Sequence, residues 1–573
     1  MRFKVMAAFG ALLSVALVSC GGREEVDVEA AQGLRDQSIE ALVAEQTVTR
    51  PGGQGYEPGV VGGTWTTTLT NDPKTFNMVN AQDAETNSLI AATMDFLADY
   101  DVYTREWTPN LASFETEVDE AADELRITFT LRDDLYWTLP GQSLEEGVKV
   151  TSDDVIFWYD EIVGEAQFQM TGFAQQFVDM PDGSRGRITI EKVDELSFTF
   201  VYPRVVANPV LSSNMRFGPR HIFEPALREG GIEAVQNLLS VDIDPRTIPS
   251  IGQYHIVEYS PGVRLVMQRN PNYWDTDEDG TSYPYIEEVI YRIVPDRNTE
   301  FLLFQDGSKD AYSPRPEDLT PLLEEEDPDY AVYNGGEALG ASFFVANQNP
   351  ENMDSLVYSW FVQTEFRQAI SSLLNRERIA NQVYRGLARP MEHLFAEPNP
   401  YFNEDIRLEY TYNPERALEL LESIGITRDA EGVMRDAEGN AIEFDINMGA
   451  ENNIGIDMAN IFADELDAVG ITANVRPIDW QQLVERLSVT YDWEVVLLGA
   501  WVWYWPTQGS NVWPSYGNNH LWHPLQETPA TEWEARIDFL YNEGKFTIDP
   551  ERRQEIYDEF QRIILEQVPM FWT

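Results

Sequence analysis

The sequence predicts a large α/β fold, and three observations support this class. Runs with the alternation of a β-strand and runs with the periodicity of a helix follow one another from Gly63 onward. Apolar residues make up 43% of the 573 residues, which is enough to bury a large core and excludes a globally disordered chain. One cysteine and 37 glycines exclude a disulfide framework and a collagen-like repeat.

The charge balance of the chain is strongly acidic. Asp and Glu number 97, Lys and Arg number 40, and the formal net charge at pH 7 is −57. Such a surface repels phosphate, so we expect no nucleic-acid partner. The balance indicates a heavily solvated surface of the kind found in salty habitats, and it says nothing about a ligand.

Residues 1–19 have the pattern of a lipoprotein signal peptide. Arg2 and Lys4 form a basic start, an apolar run at 5–18 is too short to span a bilayer comfortably, and Cys20 follows small residues. We expect cleavage before Cys20 and lipidation of this cysteine, the only one in the chain; the alternative is a plain secretory signal with an incidental cysteine. The acidic, partly Gly-rich residues 20–61 are expected to tether the body to the membrane.

Strands of the body are expected where apolar and polar residues alternate or β-branched residues cluster. These stretches are residues 64–69, 125–131, 188–192 and 197–201. Two Asp-Ala-Glu-Gly turns, at 429–432 and 436–439, predict a short hairpin rather than a repeat architecture.

Helix starts are indicated by capping residues. Thr151 and Asp154 have capping-box spacing, and Asn413 and Asp549 each stand directly before a proline. Gly425 stands where a helix that begins at Asn413 would need a left-handed residue to end. Strands and helices therefore interleave across the whole body.

Enzyme motifs are missing from the sequence. It contains no Walker phosphate loop, no Gly-x-Ser-x-Gly elbow and no His-Glu-x-x-His helix, and Cys20 is assigned to the anchor. Carboxylates are too abundant for any two to be singled out as an acid/base couple. We expect neither catalysis nor a cofactor.

Two short segments have some features of metal sites. His520 and His523 lie close together, but good metal sites need three or four converging ligands, and the alternative is a pair of hydrogen-bonding loop histidines. Asp275, Asp277 and Asp279 begin like a calcium loop, which lacks its closing Glu. These aspartates are weak metal candidates, and an Asp-Gly hairpin turn is the alternative.

The densest aromatic stretch of the chain follows the aliphatic run at 495–498. It mixes tryptophans with amides, glycine and proline, and a loop of this composition after a core strand indicates a ligand-binding wall. The candidate contacts are Trp501, Trp503, Tyr504, Trp505, Asn511 and Trp513. The alternative is an aromatic plug that fills a core beneath the loop.

Several segments, in chain order, resemble a known family. They are residues 71–77, 131–137 with 150–155, 218–222, 269–274 with 284–289, and 366–370 with 375–379. They are similar to the extracellular solute-binding proteins of family 5, the peptide/nickel-type substrate-binding lipoproteins of ABC transporters. The resemblance covers nearly all of residues 63–573.

The resemblance implies a two-lobed periplasmic-binding-protein-like fold of type II, in the large class with an extra subdomain. Lobe I would span 62–335, with an inserted subdomain around 101–200, and lobe II would span 336–573. A solute, by family default an oligopeptide, would be held between the lobes and delivered to the ABC permease subunits. Asn71 and Thr75, in the family's opening turn, join the candidate ligand contacts. A monomer anchored by its lipid in the bacterial cell envelope, on a periplasmic or extracellular face, is expected.

Two departures from the family leave alternatives open. Peptide-binding members often carry an aspartate just after the tryptophan of the aromatic loop, where this chain has 503–506 without an acid. This favours an uncharged ligand such as an oligosaccharide. The chain also stops at Thr573, before the strands that usually return to lobe I, so the return is expected to be truncated. A secreted carbohydrate hydrolase is a further alternative, and it needs two carboxylates about 5–10 Å apart at the loop.

Overall fold

A computed structural model describes residues 58–573, except residues 82, 102–103, 120, 171, 325–327, 333–339, 353, 398, 502–504 and 518. The described residues form two hydrophobic cores. One core draws its buried side chains from residues 76–289, and the other draws them from residues 343–572. We refer to the two bodies as lobe I and lobe II.

Lobe I is built on two four-stranded sheets and three small hairpins. Its strands are β1 (Gly62–Leu69), β2 (Ala98–Asp101), β3 (Glu106–Pro109), β4 (Ala112–Asp119), β5 (Glu124–Leu131), β6 (Tyr136–Trp137), β7 (Val148–Lys149), β8 (Phe177–Asp179), β9 (Arg185–Arg187), β10 (Thr189–Lys192), β11 (Ser197–Tyr202), β12 (Tyr254–Ser260), β13 (Arg264–Arg269) and β14 (Ile286–Ile293). The strands expected around 64–69, 125–131, 188–192 and 197–201 are confirmed as β1, β5, β10 and β11.

The first sheet has the order β1-β14-β13-β12, with β1 parallel to β14 and the other pairs antiparallel. The second sheet has the order β10-β11-β5-β4 and is antiparallel throughout. It lies within 112–202, the stretch in which the inserted subdomain is expected. Side chains of β5 alternate between buried and more exposed positions, which is why one face of this sheet closes the core.

The helices of lobe I surround these sheets. They are Ala84–Thr93, Ser152–Phe157, Gly172–Gln175, Pro209–Ser213, Arg220–Gln236, Arg297–Gln305 and Pro316–Glu324, with a π-helical turn at Trp158–Val163. The capping box of Thr151 and Asp154 is present, as its spacing predicts. Gly231, at φ 67°, breaks the helix Arg220–Gln236 in a conformation that favours glycine.

Lobe II contains one five-stranded sheet of order β19-β18-β20-β15-β21. Its strands, with a small hairpin, are β15 (Gly340–Ala346), β16 (Thr427–Arg428), β17 (Met434–Arg435), β18 (Glu443–Gly449), β19 (Thr472–Ile478), β20 (Val495–Trp501) and β21 (Met570–Trp572). Strand β18 is parallel to β19 and β20, whereas β15 is antiparallel to β20 and β21. The predicted turn at 429–432 closes the β16–β17 hairpin.

The helices of lobe II cover both faces of this sheet. They are Ser355–Phe361, Thr364–Ser372, Arg376–Gln382, Pro414–Ser423, Asn453–Val469, Trp480–Glu485, Glu532–Phe546 and Pro550–Gln567. Asn413 and Asp549 cap their helices through side-chain oxygens, and Gly425 takes a left-handed conformation at φ 80°. All three capping predictions are confirmed.

Polar contacts attach the segment that follows β14, residues 297–310, to strand β1. The backbone N–H of Asp310 donates to the carbonyl of Thr66 at 2.9 Å. The buried ammonium of Lys309 donates to the Glu300 carboxylate and, at 2.7 Å, to the Thr68 hydroxyl. These contacts place the helix Arg297–Gln305 with lobe I. The expected boundary at 335/336 falls on residues outside the described part and stays a prediction, as do the signal peptide, most of the tether and the truncated return.

Candidate functional site

An aromatic contact joins the two lobes at Trp505. This residue follows β20, and its backbone N–H donates to Oε1 of Gln508 at 3.1 Å, which fixes the start of a 3₁₀ turn at Pro506–Gly509. The half-buried indole of Trp505 lies 5.5 Å from the ring of Tyr100 in lobe I and 5.9 Å from the ring of Tyr401 in lobe II. We call Tyr100, Tyr401 and Trp505 the aromatic junction.

Each tyrosine of the junction is held in place by its own lobe. In lobe I, Tyr100 pairs with Trp107 across the β2–β3 hairpin, and the indole N–H of Trp107 donates to Oδ1 of Asn208 at 3.1 Å. In lobe II, the buried Tyr401 accepts a 2.8 Å hydrogen bond from Nε of Arg553 and packs 4.5 Å from the ring of Tyr557. Trp505 therefore lies between two supported surfaces.

A second contact between the lobes is made by the end of the helix Glu532–Phe546. Nζ of Lys545 lies 2.9 Å from Oδ2 of Asp179, and the backbone carbonyl of Lys545 accepts from the N–H of Ala207 at 3.0 Å. The guanidinium of Arg204 stacks 3.5 Å above the ring of Phe546. An ion pair, a backbone hydrogen bond and a cation–π contact thus bridge the lobes here.

A cavity of about 770 Å³ opens beside this second contact. Its walls come from both lobes: Asp179, Met180, Gly183 and Arg204 from lobe I, and Tyr516, Asp538, Phe539, Asn542, Glu543, Phe546 and Thr547 from lobe II. The volume lies in the range of small-molecule sites. We call this space the interlobe cavity.

The interlobe cavity offers carboxylates, an amide, a phenol and aromatic surface. Burial raises the pKa of Asp538, although its carboxylate accepts a 2.8 Å hydrogen bond from the backbone N–H of Ser515. Burial also raises the pKa of Tyr516 above its ordinary 10.0, so its phenol is a hydrogen-bond donor throughout the physiological pH range. A carboxylate that is costly to ionise favours a bound cation, and the phenol and the Asn542 amide can hydrogen-bond peptide or sugar groups.

The structure places the two described tryptophans of the aromatic loop in different surroundings. Trp505 lies at the junction between the lobes, in the kind of position that a ligand wall needs. Trp513 does not: it is 4% exposed and packs against Trp522 and Phe560 in the lobe II core, as the plug alternative describes. Asn511 is exposed at the surface. Trp503, Tyr504 and the side chain of Trp501 lie outside the described part, so the predicted wall as a whole stays a prediction.

The two candidates in the opening turn have local partners. The exposed Asn71 donates to Oε1 of Glu85 at 3.1 Å. The buried hydroxyl of Thr75 donates to the carbonyl of Leu239 and accepts from the N–H of Asn77. The Thr75 hydroxyl therefore supports lobe I, which leaves it poorly placed for the ligand contact that was expected.

The histidine pair and the acidic turn also use their polar atoms locally. Nδ1 of the buried His520 lies 2.8 Å from the carbonyl of Val512. Asp277 accepts hydrogen bonds from the backbone of Thr281 and from the hydroxyl of Tyr285, in a turn closed at Gly280 with φ 80°. Within the described ranges, no group of three or more His, Cys, Asp or Glu is arranged to hold a metal ion.

Tyr100, Tyr401 and Phe546 were missed in the sequence. Tyr100 lies in an ordinary Asp-Tyr-Asp strand segment. Tyr401 stands beside Phe402, and Phe546 follows a polar lysine. Nothing in the local sequence distinguishes them from core residues. The contacts of Tyr100 and Phe546 across the lobes join residues that are hundreds of positions apart. Tyr401, by contrast, meets Trp505 within lobe II.

Comparisons with known proteins give one consistent result. A family model for bacterial extracellular solute-binding proteins, family 5 Middle, matches residues 106–521. The chain is 26% identical over 559 residues to the "Probable ABC transporter-binding protein" of Deinococcus radiodurans, covering 90% of this chain and 87% of that protein. It is 23% identical to Di/tripeptide-binding protein 1 of Pseudomonas aeruginosa, covering 73% and 72%.

A solved structure shares the fold at low identity. The periplasmic binding protein MelB of Agrobacterium fabrum, solved with stachyose, aligns with a TM-score of 0.65 at 18% identity and covers 90% of this chain and 79% of that one. No helix among the described residues is long and apolar enough to cross a bilayer.

Proposed function

Because the chain belongs to the bacterial extracellular solute-binding proteins of family 5, we propose that it captures an oligopeptide between its two lobes and delivers it to the permease of an ABC importer. The observation that carries this proposal is the interface between the lobes, which we call the seam and which consists of the aromatic junction, the Lys545–Asp179 contact and the interlobe cavity. Residues of both lobes meet at the aromatic junction and line the interlobe cavity. A solute held there touches both lobes at once.

The seam explains how binding becomes a signal. A solute that contacts both lobes binds the closed arrangement more tightly than an open one, and this difference in affinity shifts the population toward closure. The permease then reads the closed shape. No bond in the cargo is made or broken in this cycle.

Peptide cargo is supported by the charges of the interlobe cavity. The aromatic loop lacks the aspartate that would pair with a peptide's α-ammonium, but Asp538 lies in the cavity on a neighbouring helix. Its raised pKa means that an incoming ammonium would relieve part of the cost of keeping it ionised. The similarity to a di/tripeptide-binding protein points the same way.

Oligosaccharide cargo is the alternative. Trp505 offers an aromatic face, and Tyr516 and Asn542 offer neutral hydrogen-bonding groups in the cavity. The stachyose-bound MelB structure shares this fold. Neither feature requires a charge on the cargo.

Thermal unfolding with two ligand panels separates the two cargo classes. Purified protein is heated with di- to pentapeptides and, separately, with raffinose-type and xylo-oligosaccharides. A bound ligand raises the free energy of unfolding by RT ln(1 + [L]/Kd), so peptides should raise the Tm and sugars should not. If only sugars raised the Tm, the cargo would be an oligosaccharide. If neither panel raised the Tm, the proposal would be rejected.

The hydrolase alternative receives little support from Glu494, the carboxylate directly before β20. Glu494 precedes the seven-residue strand β20, and Trp505 follows it, so roughly 23 Å of extended chain lies between them. The Glu494 carboxylate accepts from the backbone N–H of Asp445 at 2.6 Å. Product analysis after incubation with each panel tests this point, and turnover of any sugar or peptide would contradict the receptor.

We further propose that lipidated Cys20 anchors the receptor in the cell envelope, on a periplasmic or extracellular face. The sequence pattern around Cys20 supports this, and the residue lies outside the described part of the chain. The wild-type protein should fractionate with membranes, and Cys20→Ser should move it to the soluble fraction. An unchanged distribution of the Cys20→Ser variant would refute the anchor.

A further inference from the structure

Lobe I contains a second cavity, of about 380 Å³, that is separate from the interlobe seam. Its walls include Asp95, Asp99 and Arg216, together with Phe96, Tyr273 and Trp274. Asp99 and Tyr100 are neighbours in β2, and successive side chains of a strand point to opposite faces. The β2–β3 hairpin therefore presents Tyr100 to the aromatic junction on one face and Asp99 to this cavity on the other.

The basic group of the cavity is stacked on an aromatic ring but has no acceptor for its N–H groups among the described residues. Among the described residues, the Arg216 guanidinium makes no hydrogen bond and no ion pair within 4.0 Å, and its Nε is buried. It stacks 4.1 Å from the ring of Phe96, which holds its plane in place. A half-buried guanidinium whose buried Nε has no acceptor is a ready site for a carboxylate.

The acidic groups of the cavity have neutral hydrogen-bonding partners, Tyr273 and Trp274 for Asp95 and Asn110 for Asp99. Oδ2 of Asp95 accepts one long hydrogen bond, 3.4 Å from the indole nitrogen of Trp274. Burial raises the pKa of both Asp95 and Asp99, even though the positive charge of Arg216 acts in the opposite direction. An ammonium group placed between these carboxylates would offset the cost of burying their charges.

We propose that this cavity binds a small α-amino acid, with its ammonium group on Asp95 and Asp99, its carboxylate on Arg216 and its side chain against the aromatic wall. One guanidinium among the carboxylates of Asp95, Asp99 and Asp275 gives the cavity a group for each end of a zwitterion. A metal ion is a poor fit, because the described residues contain no set of three ligands suited to one. The proposal is independent of the cargo, which binds at the seam.

Isothermal titration with L-leucine and its two half-molecules tests the proposal. 3-Methylbutylamine keeps the ammonium and side chain, and 4-methylpentanoate keeps the carboxylate and side chain. Leucine should bind at least about tenfold more tightly than either, because each half-molecule leaves one charged group of the cavity unpaired. If 3-methylbutylamine bound as tightly as leucine, the cavity would bind only a cation and the proposed carboxylate contact would be wrong. If about 10 mM leucine released no heat of binding, the whole proposal would be wrong.

Two variants assign the contacts. Arg216→Gln should weaken leucine at least about tenfold and leave the amine unchanged, whereas Asp99→Asn should weaken leucine and the amine alike. Asp279→Asn removes a nearby exposed charge outside the cavity and should change neither. Because Asp99 is more exposed than Arg216, its variant tests the proposal even where Arg216→Gln fails to fold. Leucine binding that survives both substitutions would refute the site.

One control variant distinguishes leucine binding in the lobe I cavity from leucine binding at the cargo site. Trp505→Ala alters the seam but touches no wall of the lobe I cavity, so leucine should bind this variant as it binds the wild type. Loss of leucine binding in Trp505→Ala would mean that leucine occupies the seam, and the assignment to lobe I would fail.

Discussion

At the scale of single residues, Trp505 is the side chain on which cargo binding should depend most. It is the described member of the aromatic loop that contacts both lobes. We predict that Trp505→Ala weakens cargo binding at least about tenfold, since truncation removes aromatic area from the centre of an interface. Titration of the peptide that gives the largest thermal shift measures this.

The control for this experiment is Trp480→Ala. Trp480 is 48% exposed at the start of the helix Trp480–Glu485, so its loss should leave the affinity unchanged. If Trp505→Ala binds as tightly as Trp480→Ala, the aromatic junction is a structural contact only.

Trp505 and Trp513 show what the loop sequence can predict and what it cannot. Both lie in the same aromatic, amide-rich stretch, and both were assigned to the wall. Trp513 is buried by Phe560, on a helix much later in the chain, whereas Trp505 is left at the seam. Composition identifies the loop, but burial depends on distant elements that fold over part of it.

Glu534 should make the stability of lobe II depend on pH. This buried carboxylate accepts from the N–H and hydroxyl of Thr531 and from the indole N–H of Trp522. Burial acts to raise its pKa, but hydrogen bonds and the charges of His520 and His523 outweigh burial and lower the pKa to about 2. A carboxylate whose folded pKa lies below its ordinary 4.5 stabilises the fold above pH 4.5, and this stability is lost as the pH falls toward 2.

We therefore predict that Glu534→Gln lowers the free energy of unfolding above pH 4.5, by on the order of 1–3 kcal/mol, because it weakens the buried hydrogen bonds from Thr531 and Trp522. The difference from the wild type should narrow as the pH falls from 5 to 3. Urea unfolding at several pH values measures both effects. Glu532→Gln changes an exposed position on the same helix, so its free energy of unfolding should vary with pH as that of the wild type does. If the free energy of unfolding of Glu534→Gln also varied with pH as the wild type's does, Glu534 would not be the group that causes the pH dependence.

At the scale of elements, Asp549 fixes the start of the helix Pro550–Gln567. Its Oδ1 accepts from the backbone N–H of Arg552 at 2.8 Å, and this helix buries Ile556, Phe560 and Ile564. We predict that Asp549→Ala lowers the free energy of unfolding by about 1 kcal/mol, while Asp549→Asn, which keeps a capping oxygen, loses little. Urea denaturation distinguishes the two, and equal losses would argue against a capping role.

Helix starts such as this one were predictable because their cause is local. Thr151, Asn413 and Asp549 each signal a helix through residues within one turn. The five-stranded sheet was not predictable in this way. Strand β15 pairs with β20 and β21, which come far later in the chain, so its neighbours depend on the whole lobe. The two-lobed arrangement came from the family resemblance alone.

At the scale of the whole molecule, Lys545 links the lobes. It pairs with Asp179 at 2.9 Å, across a separation of 366 residues that no local pattern could reveal. We predict that Lys545→Gln shifts the cargo-free protein toward an open arrangement, by roughly two- to fivefold, as expected for a partly exposed ion pair. Small-angle X-ray scattering at low salt would show a larger radius of gyration.

The matched control is Lys149→Gln. Lys149 pairs with Glu195 at 3.4 Å within lobe I, so its loss should leave the scattering unchanged. Saturating cargo should bring Lys545→Gln back to the wild-type dimensions. Identical scattering of Lys545→Gln and the wild type without cargo would show that this ion pair does not hold the lobes together.

The strand order of lobe II has a consequence for biosynthesis. A polypeptide emerges N-terminus first, so the sheet ending at β14 can assemble as soon as Ile293 is free. The apolar strand β15, with Phe343 and Phe344, must wait for β21 before its outer edge is paired. During that interval an unpaired strand invites aggregation. In the nascent chain, lobe II is thus the half that we expect to depend more on chaperones.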